Sequence, residues 1–214
     1  MPVRVFPVLG TAVALFGLFA LSELARQRGL KAETTRRFVH VVGAGTTALF
    51  PFYLHLSEVV VLAVAFTLFL GWTRVRGSLK SVHAVDRPTL GAIVFPIGLL
   101  LAAIAVWSHP AAFSFAALVL AFADPAASLV GKRLNRLSWP VPGGRKSVFG
   151  SLAFFATAFV IGTAFASAAG IGAVPAAVAV AAVLTVVEAT LGFGLDNLVI
   201  PLVAGLLGEQ WLSL

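Results

Sequence analysis

The sequence contains no cysteine, which excludes disulfides and thiolate-bound metal. It is also poor in charge. Asp, Glu, Lys and Arg make up 11% of its 214 residues, about half the usual globular share. Hydrophobic residues make up 60%, and the mean hydropathy is +1.03. A soluble domain of this size could not cover so much apolar surface, and a disordered chain would not carry it. Acids are the scarcest charges, with 8 Asp and Glu against 15 Lys and Arg. A net charge of +7 raises nucleic acid as a partner. In so apolar a chain the basic excess marks cytoplasmic loops and anionic headgroups instead, and nucleic acid is set aside. His55, His83 and His109 lack acidic or histidine partners at metal-ligand spacing, so no zinc site is expected. The GxxxxGK[ST] spacing of a Walker A loop is absent too.

What is present is a series of apolar runs. At ~20 residues per span, the chain has room for roughly seven or eight helices and no appended soluble domain. Eight segments are read as helical, roughly 5–25, 38–54, 58–72, 90–107, 111–130, 148–168, 174–190 and 197–212. The first is long for a signal peptide and has its basic cluster after it, so it is read as an uncleaved span. The expected fold is an all-α polytopic transmembrane bundle, one integral membrane domain over 1–214. No internal repeat is visible, and the Pro- and Gly-interrupted segments do not match in two halves, as a repeat-built transporter would require.

The basic residues alternate with the spans. Arg26, Arg28, Lys31, Arg36 and Arg37 follow the first. Arg74, Arg76, Lys80 and Arg87 follow the third. Lys132, Arg133, Arg136, Arg145 and Lys146 follow the fifth. These 14 of the 15 Lys and Arg fall on one side of the membrane. The positive-inside rule makes that side cytoplasmic and puts the N-terminus outside.

The acids are few enough to weigh singly. Glu33 and Asp86 lie in basic loops and read as solvated partners of nearby arginines. Glu23, Glu58 and Glu209 lie near span ends and read as interfacial. Asp124 differs: it stands seven residues before Gly131, about 10 Å inside the fifth span. A carboxylate there costs roughly 2.5 kcal/mol or more, so function is the default expectation; a helix–helix hydrogen bond or ion pair is the structural alternative. Helical spacing puts Asp124, Ser128, Gly131 and Lys132 on one face, a stripe suited to a metal-bound phosphate ester. Pro125 removes a donor and frees the carbonyl of Ala121. Glu188 closes the seventh span on the same side, and Asp196-Asn197 opens the eighth. Asp196 would also serve as a helix N-cap. Pro201 frees the carbonyl of Asn197. Three carboxylates from distant parts of the chain thus converge at one depth on one face.

The loop GKRLNRLSWPVPGGRKS, residues 131–147, holds five cations in 17 residues and no acid. Pro142-Gly143-Gly144 makes a turn that leads through Arg145, Lys146 and Ser147 into the sixth span. Backbone N–H groups of such a turn, a helix N-terminus and the cations form an anion site, with polyphosphate its natural ligand. A positive-inside loop with Ser147 as N-cap would have the same composition. His40, after Arg36-Arg37, either snorkels to the interface or binds phosphate.

Four segments together resemble the membrane phytol, dolichol and diacylglycerol kinases that use CTP. Arg36-Arg37-Phe38-Val39-His40 resembles their "RK-x-x-H" segment. Asp124-Pro125-Ala126-Ala127 through Gly131-Lys132 resembles "GD-x-x-A-x-x-x-G-(R/K)". Lys146-Ser147-Val148-Phe149-Gly150-Ser151 resembles "KS-x-x-GS". Glu188 with Asp196-Asn197 and Pro201 resembles "E…DN-x-x-x-P". The segments run in order from 36 to 201. The chain departs at Ala123, where many members have Gly, and at Phe149, where many have Glu. The phytol-kinase branch is similar to it in lacking that Glu. The resemblance implies transfer of the γ-phosphoryl group of CTP, or another nucleoside triphosphate, to a membrane isoprenoid alcohol such as phytol, a prenol or dolichol. It implies Mg²⁺ held by Asp124, Glu188 and Asp196, which also carry the chemistry. Phosphate would be bound by Arg37, His40, Lys132, Arg145 and Lys146, with Ser128, Ser147 and Asn197 as hydrogen-bond partners. CDP-lipid synthesis of the phosphatidate cytidylyltransferase kind and a small transporter are the alternatives. The acids cluster toward one face rather than the midplane, which argues against transport.

The charge asymmetry makes a topological prediction. Single cysteines at Ser78 and Ser138 should be shielded from an impermeant thiol reagent in intact cells, while one at Ser108 should label. Labelling at Ser138 from outside would invert the topology.

Overall fold

A computed structural model describes residues 3–84, 89–134, 136–170 and 174–214. Asp86 and Arg87 of the second basic loop and Asn135 of the third lie outside these residues.

Apolar stretches of helical length fold as helices because every backbone polar group is then satisfied within the segment. Each expected segment is such a helix. In chain order they are α1 (Val5–Gln27), α2 (Ala32–Thr47), α3 (Leu56–Val75), the short α4 (Lys80–His83), α5 (Gly91–Val106), α6 (Pro110–Arg133), α7 (Val148–Ala168), α8 (Val174–Thr190) and α9 (Asp196–Leu212). The fold is all-α apart from one hairpin. The helices α1, α3, α6 and α7 are long and apolar enough to cross a membrane, whereas α5 and α8 are apolar but shorter. Length and composition therefore secure four spans rather than the seven or eight expected. The second segment departs most from its expected bounds. It starts six residues earlier, and the α-helix stops at Thr47, before a 3₁₀ turn at Phe50–Phe52. Pro51 explains the stop, since it lacks an N–H and biases Phe50 away from a continuing helix.

The central element is α6. Ala112, Phe113, Phe115–Ala117, Val119–Ala121 and Ala123 on it have no exposed surface. It packs on α7, α9, α2 and α5. Ala123, the departure from the family's Gly, is accommodated in this core. One polar side chain is held there as well: Ser114 donates to the carbonyl of Ala48, 2.7 Å away.

Glycines set how closely the remaining helices approach. A Cβ on Gly98 of α5 would stand 2.1 Å from the carbonyl oxygen of Asn197. That is the oxygen Pro201 deprives of its helical donor, and only a residue without a side chain admits it. A Cβ on Gly192 would meet the Pro142 carbonyl oxygen at 1.9 Å. Gly194, at φ +84°, lies against the backbone of Gly91. The α8–α9 connection is thus clamped between the loop after α6 and the start of α5. Phe193 N–H donates to Pro142 (2.9 Å), and Leu90 N–H donates to the Phe193 carbonyl (2.8 Å).

Glu58 corrects an expectation. It was read as interfacial, but its side chain is fully buried. The backbone N–H, Nε and a terminal nitrogen of Arg4 donate to it at 2.8 Å each. The N–H of His55 donates to it at the same distance. This carboxylate fastens the start of α1 to the start of α3.

Gly98→Ala should lower stability by about 1–3 kcal/mol, the usual cost of overpacking. Gly71→Ala in α3, with nothing within 4 Å of the added carbon, should be neutral or stabilising, since Ala exceeds Gly in helix propensity by about 1 kcal/mol. Thermal unfolding in detergent checks both; equal shifts would remove the close-approach argument.

Candidate active site

The loop after α6 folds as a β-hairpin, β1 (Ser138–Val141) paired antiparallel with β2 (Gly144–Ser147), with Trp139 opposite Lys146 and Ser138 opposite Ser147. Pro142 and Gly143 form its corner, and Gly143 adopts φ +74°, the left-handed conformation that glycine tolerates. The Pro142–Phe193 bond and a bond from the Trp139 indole N–H to the carbonyl of Ala189 (3.0 Å) hold the hairpin to the bundle, together with the ion pairs of Lys146. Ser147 ends β2 and caps α7, its Oγ accepting from the N–H of Gly150 at 3.1 Å. The cap places Lys146 one residue before a helix N-terminus, where anions are favoured.

Lys146 is the centre of the arrangement. Its ammonium donates to Glu188 Oε1 at 2.6 Å and to Asp196 Oδ2 at 3.2 Å. All three side chains are largely buried. Ser151 Oγ donates to the other oxygen of Glu188 (3.0 Å). Burial alone would pull the Lys146 pKa down, but Asp196, Glu188 and Asp124 outweigh it and hold the ammonium above its ordinary value. Lys146 is therefore charged at neutral pH. Asp196 is not the N-cap of α9, a position held by Leu195; it is the first helical residue, and its Oδ1 accepts from the N–H of Asn197.

These groups border a cleft of about 1000 Å³. Asp124, Glu188, Asp196, Ser128, Lys132, Arg145, Lys146, Ser147 and Asn197 all line it. The expected face of α6 is present, since Asp124, Ser128, Gly131 and Lys132 line the cleft together. Gly131 and Gly150 let α6 and α7 cross closely there: a Cβ on Gly131 would meet Ser147 Oγ at 2.9 Å. Lys132 reaches Glu33 at 2.7 Å. Arg145 folds back onto Ser138, donating to its carbonyl (2.9 Å) and its Oγ. Phe149, the residue at the family's Glu position, is exposed and does not line the cleft.

Thirty per cent of residues are identical, in an alignment of 217 positions, to a protein named phytol kinase from Synechocystis sp., and the match covers 97% of this chain and 92% of that one. The chain belongs to the phytol kinase family. No family model and no solved structure matches it. The relative agrees with the phytol-kinase branch of the resemblance drawn from the motifs.

Two expected phosphate ligands lie away from the cleft. Arg37 turns to Glu33 (3.4 Å), and its neighbour Arg36 lines the cleft instead. His40 faces an apolar cavity next door. Its Nε2 is 2.8 Å from the Leu120 carbonyl oxygen, which makes that nitrogen the donor, and 3.7 Å from Asp124 Oδ2. Arg36 was legible in principle, because it stands one turn before His40 on the same face of α2. Ser151 and Thr89 were not singled out either; Ser151 sits one helical turn after the cap residue Ser147.

Among the described residues, no group of three or more His, Cys, Asp and Glu side chains could hold a metal by itself. The oxygen donors present still suit Mg²⁺, which takes one or two carboxylates and completes its shell with phosphate and water.

Lys146→Ala would remove the buried ammonium that Glu188 and Asp196 share. Removing one partner of a buried pair costs about 3–5 kcal/mol, so this variant should unfold well below Arg136→Ala, which loses an exposed cation. Adding Glu188→Gln to Lys146→Ala should recover part of the loss. Thermal unfolding without nucleotide measures it, and equal stability of the two single variants would refute the pairing.

Proposed function

We propose that this chain is a lipid-alcohol kinase. It transfers the γ-phosphoryl group of CTP to the hydroxyl of a membrane-embedded isoprenoid alcohol such as phytol. The observation that carries the reading is one cleft in which residues from five helices and the hairpin bring three carboxylates together with Arg36, Lys132, Arg145 and Lys146. Phosphoryl transfer needs charge neutralisation and alignment more than covalent chemistry, and this is a cleft of charges and donors. The phytol kinase name of the relative supports the acceptor class. The CTP donor follows from the motif resemblance. The basic loops at the cleft end, with the positive-inside rule, support a cytoplasmic site in the cell membrane.

The carboxylates divide by their partners. Glu188 and Asp196 share the ammonium of Lys146, whereas Asp124 lies beside His40. Asp124 is therefore assigned as the acceptor of the alcohol's proton. Glu188 and Asp196 would hold Mg²⁺, which supplies charge neutralisation at the phosphate oxygens when bound. Arg36, Arg145 and Lys132 attract the polyphosphate, and the Ser128 hydroxyl can donate to it. The alcohol oxygen bonds to the γ-phosphorus, the bond from that phosphorus to the β-phosphate oxygen breaks, and CDP leaves.

Purified protein given γ-labelled CTP, Mg²⁺ and phytol should yield labelled lipid phosphate and CDP. Asp124→Asn keeps the volume and removes the base, so turnover should fall about 10²–10⁴-fold with folding preserved. Release of pyrophosphate with a CDP-lipid would overturn the kinase reading, and near-normal turnover of Asp124→Asn would overturn the assignment.

A further inference from the structure

An apolar cavity of about 940 Å³ adjoins the cleft. It fills the wedge between α2, which packs on α1, α4 and α6, and α5, which packs on α3, α6 and α9. One end is walled by Arg36, His40, Gly91 and Asn197. The far end is walled by Phe50, Val59 and Phe113. Arg36 and Thr47 on α2 both line it, and eleven residues of helix separate them, a depth of about 16 Å. Between the ends the wall is hydrocarbon: Leu18, Leu62, Ala63, Phe66 and Leu99.

Arg36 and Asn197 line both the cavity and the cleft, so the two spaces meet at these side chains. Asn197 is about nine-tenths buried. Its Nδ2 donates to the Gly91 carbonyl at 3.0 Å, which fixes the orientation of the amide. Its Oδ1 is then a buried acceptor with no hydrogen-bond partner among the described residues. An unsatisfied buried acceptor calls for a donor. Phosphate oxygens are themselves acceptors and cannot fill that place. An O–H can.

We infer that the apolar cavity binds the hydrocarbon tail of a single-chain isoprenoid alcohol whose hydroxyl donates to Asn197 Oδ1 at the junction with the cleft. The inference deepens the lipid-alcohol kinase reading and rests on it for the identity of the alcohol. The geometry gives the tail an apolar slot running in from the basic end of the bundle, and the hydroxyl one acceptor. His40, with Nε2 3.7 Å from Asp124, separates the two spaces on the α2 side. Before nucleotide binds, a hydroxyl donating to Asn197 thus stands at the border of the cleft that Asp124 lines, with the tail out of water; for transfer its one proton turns from Asn197 to Asp124.

Binding without nucleotide or metal tests this separately from catalysis. The probe is a diterpenoid alcohol with a diazirine at its tail end, added in excess chelator to the full chain in nanodiscs. Crosslinks should map to the far wall, at Phe50, Val59, Leu62 or Phe113. Unlabelled alcohol should displace the probe about tenfold better than its methyl ether, which keeps the tail and cannot donate. That gap should close in Asn197→Leu. In Ala63→Phe, which narrows the slot four residues from Val59, preference for the diterpenoid over a monoterpenoid alcohol should fall at least about tenfold. Crosslinks confined to outward-facing residues such as Phe6 or Leu68 would overturn the inference. So would equal displacement by alcohol and ether, or a gap that persists in Asn197→Leu. Correct crosslinks with no phosphoryl transfer would instead overturn the kinase reading and leave the binding site standing.

Discussion

A carboxylate on an apolar helix cannot be left without a counter-charge, because its hydration is lost and little around it replaces water. Of the seven acids among the described residues, five meet Lys or Arg, and the bundle is arranged around these pairs. Glu58 meets Arg4, Glu23 meets Arg26, Glu33 meets Lys132 and Arg37, Glu209 lies 3.4 Å from His109, and Glu188 and Asp196 meet Lys146. Asp124, like Glu209, faces a histidine, at the longer distance of 3.7 Å. Several of these pairs join elements distant in sequence. Arg4–Glu58 fastens α1 to α3, Lys132–Glu33 fastens α6 to α2, and Lys146 fastens the hairpin to α8 and α9. Buried ion pairs contribute little net stability against hydrophobic substitutes, yet breaking one is costly. Their effect is therefore on which arrangement the helices adopt.

Close backbone approach completes what the ion pairs begin. Pro201 leaves the Asn197 carbonyl without a helical donor, and Gly98 admits that oxygen against α5. Gly192 and Gly194 do the same for the α8–α9 connection, between Pro142 and Gly91. Asp196 and Asn197 are consequently held from three directions at the first turn of α9. The Asn197 side chain, tied to Gly91, has one orientation available. A site built this way is rigid at the first turn of α9, because its supports there are backbone contacts rather than long side chains.

The helices and the cleft were legible in the sequence for different reasons. Apolar runs of helical length bounded by basic clusters place every long helix, and only α2 moved substantially, through Pro51. Asp124, Glu188 and Asp196 stood out because intramembrane acids are costly, and the 3.6-residue period correctly grouped Asp124, Ser128, Gly131 and Lys132. What was not legible was pairing across the chain. Nothing local to Glu58 reports that Arg4 folds over it, so it read as an interfacial acid. Nothing local to Lys146 reports that its ammonium sits between Glu188 and Asp196. Arg36 rather than Arg37 lines the cleft, and the helical phase sets it one turn before His40. The hairpin was visible only as its turn, Pro142-Gly143-Gly144, because two four-residue strands carry too short an alternation to register.

The proposed reaction brings together two substrates of opposite solubility, a packing problem for a protein this small. A nucleotide needs a wet, charged cleft, and an isoprenoid tail needs a dry one. If the two spaces were continuous, water would enter the apolar slot and the hydrocarbon would gain little by leaving the bilayer. Here the division falls on a few side chains. Arg36 and Asn197 wall both spaces. His40 closes the α2 side, its ring against Phe95 with centroids 5.2 Å apart. Such a border is permeable to one functional group: a hydroxyl at the end of a chain, small enough to lie at Asn197 and polar enough to be worth desolvating there. In the proposed reaction this border also controls water. A hydroxyl seated at Asn197 takes the place beside the cleft that a water would hold as the competing nucleophile, so occupancy by the alcohol suppresses hydrolysis.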